Sequence, residues 1–323
     1  MNDLATPVLS VIVPLYNEEL VIRDMHARLR SALDAQKTNY EIILVNDGSR
    51  DRTEELAKAI CNEHTDVRLV SFSRNFGHQI AVTAGLDNAA GQAVVIIDAD
   101  LQDPPEVIGE MMKKWREGCD VVFGVRTRRK GESLFKVMSA AAFYRLVRSM
   151  TRVDIPVDTG DFRLMDRKVV DELLLMRERN RFIRGMVSWV GFRQEKVEYV
   201  RHERFAGETK YPFKKMLRFA VDGILSFSDV PLKVSSLFGL LCGLLSFALI
   251  GYGLVVKLLY PQFAIPGWAS VFSAVLFLGG VQLMCIGILG EYLGRVYDEI
   301  KGRPLYIIKE RINFPEQSAR VSR

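Results

Sequence analysis

Cysteine and histidine are both scarce in this sequence, and neither residue is spaced as a metal or redox site requires. The four cysteines include no CxxC pair, which argues against a disulfide framework and against a zinc site. The four histidines show no ligand spacing either, so we expect His78 and His202 to be surface or packing residues rather than bases. Scattered thiols are typical of a domain that stays in a reducing compartment.

Several motifs that bind nucleotides or catalyse hydrolysis are also missing. The sequence contains no GxGxxG after a strand and no GxxxxGK[ST], so neither a dinucleotide-binding fold nor a P-loop is supported. A GxSxG nucleophile elbow is likewise missing. The first residues, MNDLATPVLSVIVP, lack the basic start and the apolar core of a signal peptide, so we expect no cleaved leader there.

Charged residues are missing from two long stretches, although the 323-residue chain holds 44 basic and 39 acidic residues and a net charge of +5. No Asp, Glu, Lys or Arg occurs between Lys233 and Lys257, and none between Lys257 and Glu291. Each stretch provides the roughly 20 apolar residues that a helix needs to cross a bilayer. We therefore expect two transmembrane helices, at about 234–257 and 268–290. The alternative is a buried hairpin in a large soluble core.

The residues that flank these stretches predict their orientation. Basic residues occur throughout 214–233 and 295–309, whereas the connecting loop 259–267 has none and contains two prolines. Because basic flanks stay in the cytoplasm, both long flanks are expected inside and the short loop outside. Residues 291–323 then form a cytoplasmic tail.

The region before residue 126 alternates short apolar runs with segments of helical spacing. This alternation predicts a mostly parallel α/β sheet that is covered on both faces, within a domain that we place at 1–212. Residues 126–152 contain eight basic residues and one acidic residue, Glu132, interleaved with apolar ones. This segment and the juxtamembrane segment 213–233 are typical of helices that lie on an anionic membrane surface. The alternative for both is an ordinary amphipathic core helix.

Polar side chains follow three of the predicted strands, in 14–18, 46–49 and 98–106. In an open α/β sheet, ligands bind at the carboxyl ends of the strands, so these loops are expected to converge on one edge. Asp98 and Asp100 lie two residues apart there, and such a pair can hold a hard divalent cation through its oxygen atoms.

Longer motifs extend over nearly the whole chain. They are VIVPLYNEE (11–19), VNDGSRDRT (45–53), FSRNFGHQIAVTAGLDNAAG (72–91), DADLQDPPEVI (98–108), GDFRLMDR (160–167), RFAGETKYP (204–212) and LGEYLGRVYDEIKGRP (289–304). Together they resemble the inverting GT-A glycosyltransferases of family two, within which the sequence looks most like the membrane polyprenyl-phosphate sugar synthases. The greatest likeness is to the bactoprenol glucosyltransferases. The resemblance implies a GT-A fold with interfacial helices and a C-terminal two-helix transmembrane hairpin.

The resemblance also implies roles for particular residues. The donor nucleotide would be held by five of them: Pro14, Tyr16, Glu18, Asp47 and Asp98. Asp47 would read the pyrimidine, since a carboxylate can accept the ring N–H of uracil. The metal, Mg²⁺ or Mn²⁺, would be held by Asp98, Asp100 and Gln102.

Catalysis would involve Asp100 and Asp161, and the anionic phosphates of donor and acceptor would be held by Arg126, Lys136, Arg204 and Lys210. For Asp161 the alternative is a helix cap or a turn residue. For the basic side chains it is a solvated charge or a contact with lipid headgroups. Thr209 stands where many relatives have serine, and both residues offer a hydroxyl group.

The resemblance implies transfer of a hexose from a UDP-sugar to undecaprenyl phosphate at a bacterial inner membrane. Among the hexoses, it favours glucose. N-acetylglucosamine, galactose, a modified arabinose and mannose are alternative sugars, and a non-catalytic membrane scaffold is an alternative function. A processive polysaccharide synthase is a third, but its QxxRW motif and additional spans are missing from the sequence. The resemblance suggests a homotetramer, and we expect no nucleic-acid partner.

Overall fold

Strands and helices alternate through the first part of the chain, as the hydrophobic pattern predicts. The computed structural model describes residues 7–126, 159–200, 230–259 and 267–315. Its first elements are β1 (Leu9–Leu15), α1 (Ile22–Asp34), β2 (Tyr40–Asn46), α2 (Thr53–Glu63), β3 (Val67–Phe72), α3 (His78–Asn88), β4 (Ala93–Ile96), α4 (Val107–Arg116) and β5 (Val121–Arg126). They are followed by β6 (Thr159–Asp166), α5 (Arg167–Leu175), α6 (Ile183–Val190), β7 (Gln194–Tyr199), α7 (Val230–Leu259), α8 (Trp268–Ile300) and β8 (Ile308–Ile312).

These strands form one mixed, mostly parallel sheet in the order β7-β5-β6-β4-β1-β2-β3-β8. Strand β1 pairs in parallel with both β2 and β4, and β5 pairs in parallel with β7. Two strands run the other way, since β6 is antiparallel to β4 and β5, and β8 is antiparallel to β3. The expectation of a mostly parallel α/β sheet is therefore confirmed.

The central strands β1 and β4 are buried along their whole length because both faces of the sheet are covered. Every residue of β1 and of β4 is buried, as expected for parallel strands beneath helices. Helix α1 turns Ile22, Met25, Leu29 and Leu33 inward at the spacing of an amphipathic helix. Each such side chain contributes about 1.5–3 kcal/mol by leaving water.

The segment after the last helix joins this sheet, a pairing that the sequence does not predict. Helix α8 continues to Ile300, and residues 303–315 belong to the same unit as the sheet. Strand β8 pairs with β3, and the side chain of Asn313 donates to the carbonyl oxygens of Cys61 and Val67, each at 2.8 Å. Pairing between strands so far apart in sequence leaves no local pattern.

The second unit contains two long helices that cover both predicted spans. Helix α7 has 30 residues and α8 has 33, so each is longer than the roughly 20 residues that span a bilayer. Cys285 of α8 contacts the backbone oxygen of Ser235 at 3.8 Å. By length and composition, one segment of the described ranges is a candidate span, Phe277–Ile300, and the apolar stretch Val230–Cys242 is shorter. Most of the predicted interfacial segments 126–152 and 213–233 lies outside the described residues.

Candidate active site

The register of the sheet brings the predicted site residues to one edge. Because β1, β2 and β4 are parallel, their carboxyl ends meet at that edge. Strand β6 is antiparallel to β4, with Ile96 opposite Arg163. When this register is continued by two residues, Asp161 lies next to Asp98. Strand β5 ends at Arg126 on the same edge. The side chain of Arg126, like Lys136, Arg204 and Lys210, lies outside the described residues.

The loops after β1 and β2 are tied to each other by backbone-to-side-chain hydrogen bonds. The Asn17 N–H donates to Ser49 Oγ at 3.1 Å, and the Arg50 N–H donates to Asn17 Oδ1 at 2.9 Å. Nearby, the Glu18 N–H donates to Thr53 Oγ1 at 2.8 Å. Two segments of the predicted donor site therefore form one connected surface.

Within that surface the three predicted donor residues of the first loop differ in accessibility. Pro14 is buried inside β1, where it faces Val45 of β2. Tyr16 is 37 % exposed, so its ring is available to a ligand. Glu18 is half-buried at the end of the loop. Pro14 thus shapes the loop, and Tyr16 and Glu18 are the side chains that can reach a nucleotide.

Asp47 is buried and tethers a third loop to the site. Its Oδ1 accepts from the Phe76 N–H at 2.6 Å, and its Oδ2 accepts from the Gly77 N–H at 3.0 Å and from Asn75 Nδ2 at 2.9 Å. Burial raises the pKa of Asp47, against the pull of the two backbone N–H groups. Next to it, Gly48 has a φ of +63°, and a Cβ there would lie 2.6 Å from the backbone nitrogen of Asn75. Only glycine fits this close approach of two loops.

Asp161 is surrounded by donors from two helices. Its Oδ1 accepts from Arg184 Nε of α6 at 2.7 Å, while its Oδ2 lies 3.1 Å from His78 Nε2 and 3.2 Å from Gln79 Nε2, both of α3. The side chain is only 8 % exposed, and burial alone would raise its pKa. The charges and hydrogen bonds of Arg184 and His78 prevail and hold the pKa of Asp161 well below its usual range. Asp161 is therefore an ionised carboxylate and a weak proton acceptor.

His78 links the two carboxylates that the sequence assigned to separate roles. Its Nε2 lies 3.1 Å from Asp161 Oδ2 and 3.7 Å from Asp98 Oδ1. Burial lowers the pKa of His78, but the hydrogen bond to Asp161 and the charges of Asp98 and Asp161 raise it to about 9. His78 is 42 % exposed, as a surface residue should be, but the sequence did not predict the ion pair that the fold of the sheet edge places there. Its inclusion in the motif at 72–91 was the available signal.

Sequence reasoning also missed Gln79 and Arg184 as neighbours of Asp161. Gln79 lies in the same motif as His78, whereas Arg184 lies in none of the motifs. Arg184 is far from Asp98 and His78 along the chain and reaches Asp161 through the placement of α6. No spacing rule connects these positions, so only the tertiary structure identifies Arg184.

The predicted metal residues form an acidic loop beyond β4. Burial raises the pKa of Asp98 to about 6, opposed by His78 and reinforced by the charges of Asp161, Asp103 and Asp100. Asp100 Oδ1 accepts from the Gln102 N–H at 3.2 Å, and Leu101 between them has a φ of +57°. Across the described ranges no three His, Cys, Asp or Glu side chains form a metal cluster. One or two carboxylates fit Mg²⁺ or Mn²⁺ when substrate phosphates and water complete the coordination.

Comparison with known proteins identifies the family of this chain. Residues 10–174 match the family described as glycosyl transferase family 2, and residues 230–296 match the GtrB C-terminal hairpin. The uncharacterized glycosyltransferase YkcC of Bacillus subtilis (strain 168) is 54 % identical over 301 residues, which cover 93 % of each chain. The SfII prophage-derived bactoprenol glucosyl transferase of Shigella flexneri is 43 % identical over 302 residues, covering 94 % of this chain and 97 % of the relative.

Among solved structures, glucosyl-3-phosphoglycerate synthase of Mycobacterium tuberculosis, in complex with Mn²⁺, uridine diphosphate and phosphoglyceric acid, is similar with a TM-score of 0.45 and 19 % identity. That likeness covers 68 % of this chain and 76 % of the synthase. The sequence matches confirm the resemblance drawn from the motifs, and with it the GT-A-like α/β fold and the enzyme class. The chain belongs to glycosyltransferase family 2 and ends in a GtrB-type C-terminal hairpin.

Proposed function

We propose that the protein transfers glucose from UDP-glucose to undecaprenyl phosphate, with inversion at the anomeric carbon. The products are undecaprenyl-phosphoglucose and UDP. Relatives that match over most of their length are named bactoprenol glucosyl transferases, which supports both the sugar and the lipid. The two long apolar helices and the hairpin family supply the membrane association that a lipid acceptor requires.

The hydrogen bonds that Asp161 shares with Arg184, His78 and Gln79 are the observation on which this proposal rests. A sugar or serine hydroxyl must lose a proton to attack the anomeric carbon, and enzymes that use such acceptors need a general base. Asp161 is a poor base because Arg184 and His78 already occupy it and stabilise its charge. A phosphate monoester needs no base, since its second pKa of about 6 makes it largely dianionic at neutral pH. The site therefore favours a phosphate acceptor, and Asp161 acts by orienting groups and balancing charge.

On the donor side, the nucleoside lies against Tyr16 and Glu18, in the loop that Pro14 shapes, and Asp47 reads the uracil ring. The Asp47 carboxylate accepts three hydrogen bonds from the protein. An ionised carboxylate has about four acceptor positions, so one remains for the N–H of the pyrimidine. The tether to residues 75–77 then holds that acceptor position in place.

The diphosphate lies at Asp98, Asp100 and Gln102. These residues would hold Mg²⁺ or Mn²⁺ through oxygen ligands, and the cation would neutralise charge that develops on the departing UDP. His78, placed between Asp98 and Asp161, separates the metal side of the site from the acceptor side. On the acceptor side, Arg126, Lys136, Arg204 and Lys210 would attract the lipid phosphate against the repulsion of the diphosphate.

Product analysis tests the reaction directly. Membranes that contain the full-length protein are incubated with undecaprenyl phosphate and a panel of UDP-sugars and GDP-mannose, and the lipids are analysed by mass spectrometry. We expect one hexose per lipid from UDP-glucose, and no extended chain. Faster transfer from GDP-mannose would contradict both the recognition of uracil by Asp47 and the assignment of glucose as the transferred sugar. No transfer from any donor would favour the non-catalytic scaffold.

The metal assignment has its own test. We expect excess chelator to abolish transfer and Mg²⁺ or Mn²⁺ to restore it, and we expect Asp100→Ala to lower turnover about 100-fold. Asp34→Ala, which removes an exposed carboxylate of α1, is the matched control and keeps full activity. Full turnover in excess chelator would exclude the metal.

We further propose a multi-pass protein of the bacterial inner membrane with both termini in the cytoplasm, assembled as a homotetramer. Cysteine probes introduced as Gln262→Cys and Ser318→Cys report the topology, with the four native cysteines replaced. An impermeant reagent added to intact spheroplasts should label the probe in the connecting loop and miss the one near the C-terminus. Labelling of the second probe would contradict this orientation, and the mass in detergent from light scattering tests the tetramer.

A further inference from the structure

Gln79 lies at the start of α3 and joins three elements of the active site through one side-chain amide. Its Nε2 donates to Asp161 Oδ2 of β6 at 3.2 Å. Its Oε1 accepts from the backbone N–H of Ile183, the first residue of α6, at 2.9 Å. We propose that Gln79 is a positioning residue that sets the orientation of Asp161 toward the acceptor, an inference that rests on the proposed function.

The bond to Ile183 matters because it caps a helix from outside that helix. The first N–H groups of a helix have no partner within the helix and need an acceptor. Phe182, at the N-cap of α6, has no polar side-chain atom that could supply one. Gln79 provides this acceptor, so the start of α6 is held against α3.

The hydrogen bond from the Ile183 N–H to Gln79 also determines the position of Arg184. Arg184 follows Ile183 directly, and its Nε donates to Asp161 Oδ1 at 2.7 Å. Gln79 therefore acts on both carboxylate oxygens of Asp161, on Oδ2 directly and on Oδ1 through the position of α6. His78 also contacts this Oδ2, at 3.1 Å.

An amide is the side chain that this position requires. It offers a donor and an acceptor side by side, and here the donor faces a carboxylate while the acceptor faces an N–H. The reversed amide would bring two acceptors together at Asp161 and two donors together at Ile183. The surrounding network thus determines the orientation of the amide.

The consequence concerns which nucleophile reaches the anomeric carbon. In transfer, a lipid phosphate oxygen forms a bond to C1 while the bond from C1 to the UDP oxygen breaks and UDP leaves with the electron pair. In hydrolysis, water forms that bond instead and releases a proton to solvent. A misplaced Asp161 no longer orients the acceptor, so water competes more successfully, whereas donor binding at residues 14–18 and Asp47 persists.

Two substitutions separate the two ends of the amide. Gln79→Glu keeps an acceptor for the Ile183 N–H but places a second carboxylate against Asp161. Gln79→Met has nearly the same shape and removes both hydrogen bonds. Gln92→Met, at an exposed position before β4, is the matched control.

The measurement is the ratio of UDP-glucose hydrolysis to lipid transfer in full-length protein, together with the KM for UDP-glucose and the thermal unfolding midpoint. We expect both Gln79 variants to lower the kcat of transfer by about tenfold or more and to raise the ratio about fivefold, with an unchanged donor KM. Gln79→Glu should be the more severe, because like charges meet at Asp161. Gln92→Met should match the wild type.

A purely structural role gives the opposite pattern. A loss of folded protein lowers hydrolysis and transfer in proportion and leaves their ratio unchanged, and it makes Gln79→Glu, which keeps the cap, the milder variant. Either result would overturn the inference while leaving the proposed function intact. A wild-type protein that transfers no sugar to polyprenyl phosphate would instead contradict the proposed function, and this inference with it.

Discussion

Asp47 and Asp161 are two buried aspartates at the same edge of one sheet, and each carboxylate accepts three hydrogen bonds. The donors to Asp47 are neutral, two backbone N–H groups and an asparagine amide. Two of the donors to Asp161 are Arg184, which bears positive charge, and His78, whose pKa the neighbouring carboxylates raise to about 9. Burial raises the pKa of Asp47, whereas the cationic partners of Asp161 hold its pKa well below the usual range. The charge of the partners, more than burial, decides ionisation here.

The two environments suit two tasks. A carboxylate held by neutral donors keeps its negative charge available to a ligand N–H, as base recognition requires. In the proposed reaction, the carboxylate that is paired with cations orients its neighbours and accepts no proton. Substitutions that exchange or remove these partners test the comparison.

The largest effect is expected from removing the charge of Asp161. Asp161→Asn leaves Arg184 and His78 facing a neutral amide, so the kcat of transfer should fall about 10²- to 10³-fold. The proposed function gives Asp161 an orienting role, so the pH profile should gain no new basic limb. Recovery of activity at high pH, where hydroxide can replace a missing base, would make Asp161 the general base.

Removal of the Arg184 guanidinium should lower the kcat of transfer somewhat less than Asp161→Asn does, because His78 and Gln79 still contact Asp161. We expect Arg184→Met to lower kcat about 100-fold and Arg184→Lys, which keeps the charge without the geometry, to lower it less. Steady-state kinetics with both substrates, alongside the unfolding midpoint, distinguish this from a loss of folded protein. Wild-type activity in both variants would show that charge and geometry at Arg184 are both dispensable.

Asp47→Asn should act on donor binding instead. The asparagine amide directs a donor at the N–H groups of residue 76 or 77, so at least one hydrogen bond is lost, at a cost of about 1–2 kcal/mol in the free energy of unfolding. The KM for UDP-glucose should rise about tenfold with little change in kcat. Asn75→Ala, which removes one neutral donor, should show a weaker form of the same effect. A fall in kcat alone would contradict the division of tasks.

The smallest effect is expected at His26, a buried side chain that has no ion pair in the part of the chain that the structure describes. His26 of α1 is buried, and its Nε2 has no hydrogen-bond partner among the described residues. Burial lowers its pKa, His64 and Arg30 lower it further, and Asp66 and Glu63 oppose them. Because the unfolded chain takes up a proton below pH 6.5 and the folded chain does so only at lower pH, stability falls as the pH drops below 6.5.

His26→Leu should reduce this acid sensitivity by up to about 1 kcal/mol between pH 7.5 and 5.5. Chemical unfolding of the wild type and the variant at both pH values measures the difference. Identical pH dependence of the two proteins would show that burial at His26 does not shift its titration.

The sequence predicted best the parts of the site that lie close together along the chain, such as the acidic loop after β4. Asp98, Asp100 and Gln102 are neighbours in sequence, and the strand before them is an unmistakable apolar run. Their convergence with the loops after β1 and β2 follows from the parallel topology that the alternating pattern implies. The binding of a metal and a diphosphate by these loops stays a prediction. The same holds for the roles of Arg126, Lys136, Arg204 and Lys210.

By itself, then, the sequence determined the alternation of strands and helices, the two apolar helices and the acidic strand ends, since periodicity, hydrophobic length and turn residues are local properties. The tertiary structure alone decided that β8 returns to β3, that neutral donors hold Asp47, and that His78, Gln79 and Arg184 surround Asp161. These contacts join residues that are distant along the chain, and their charges set the pKa of each carboxylate. Proximity created by folding, rather than any residue's own identity, gives the two aspartates opposite behaviour.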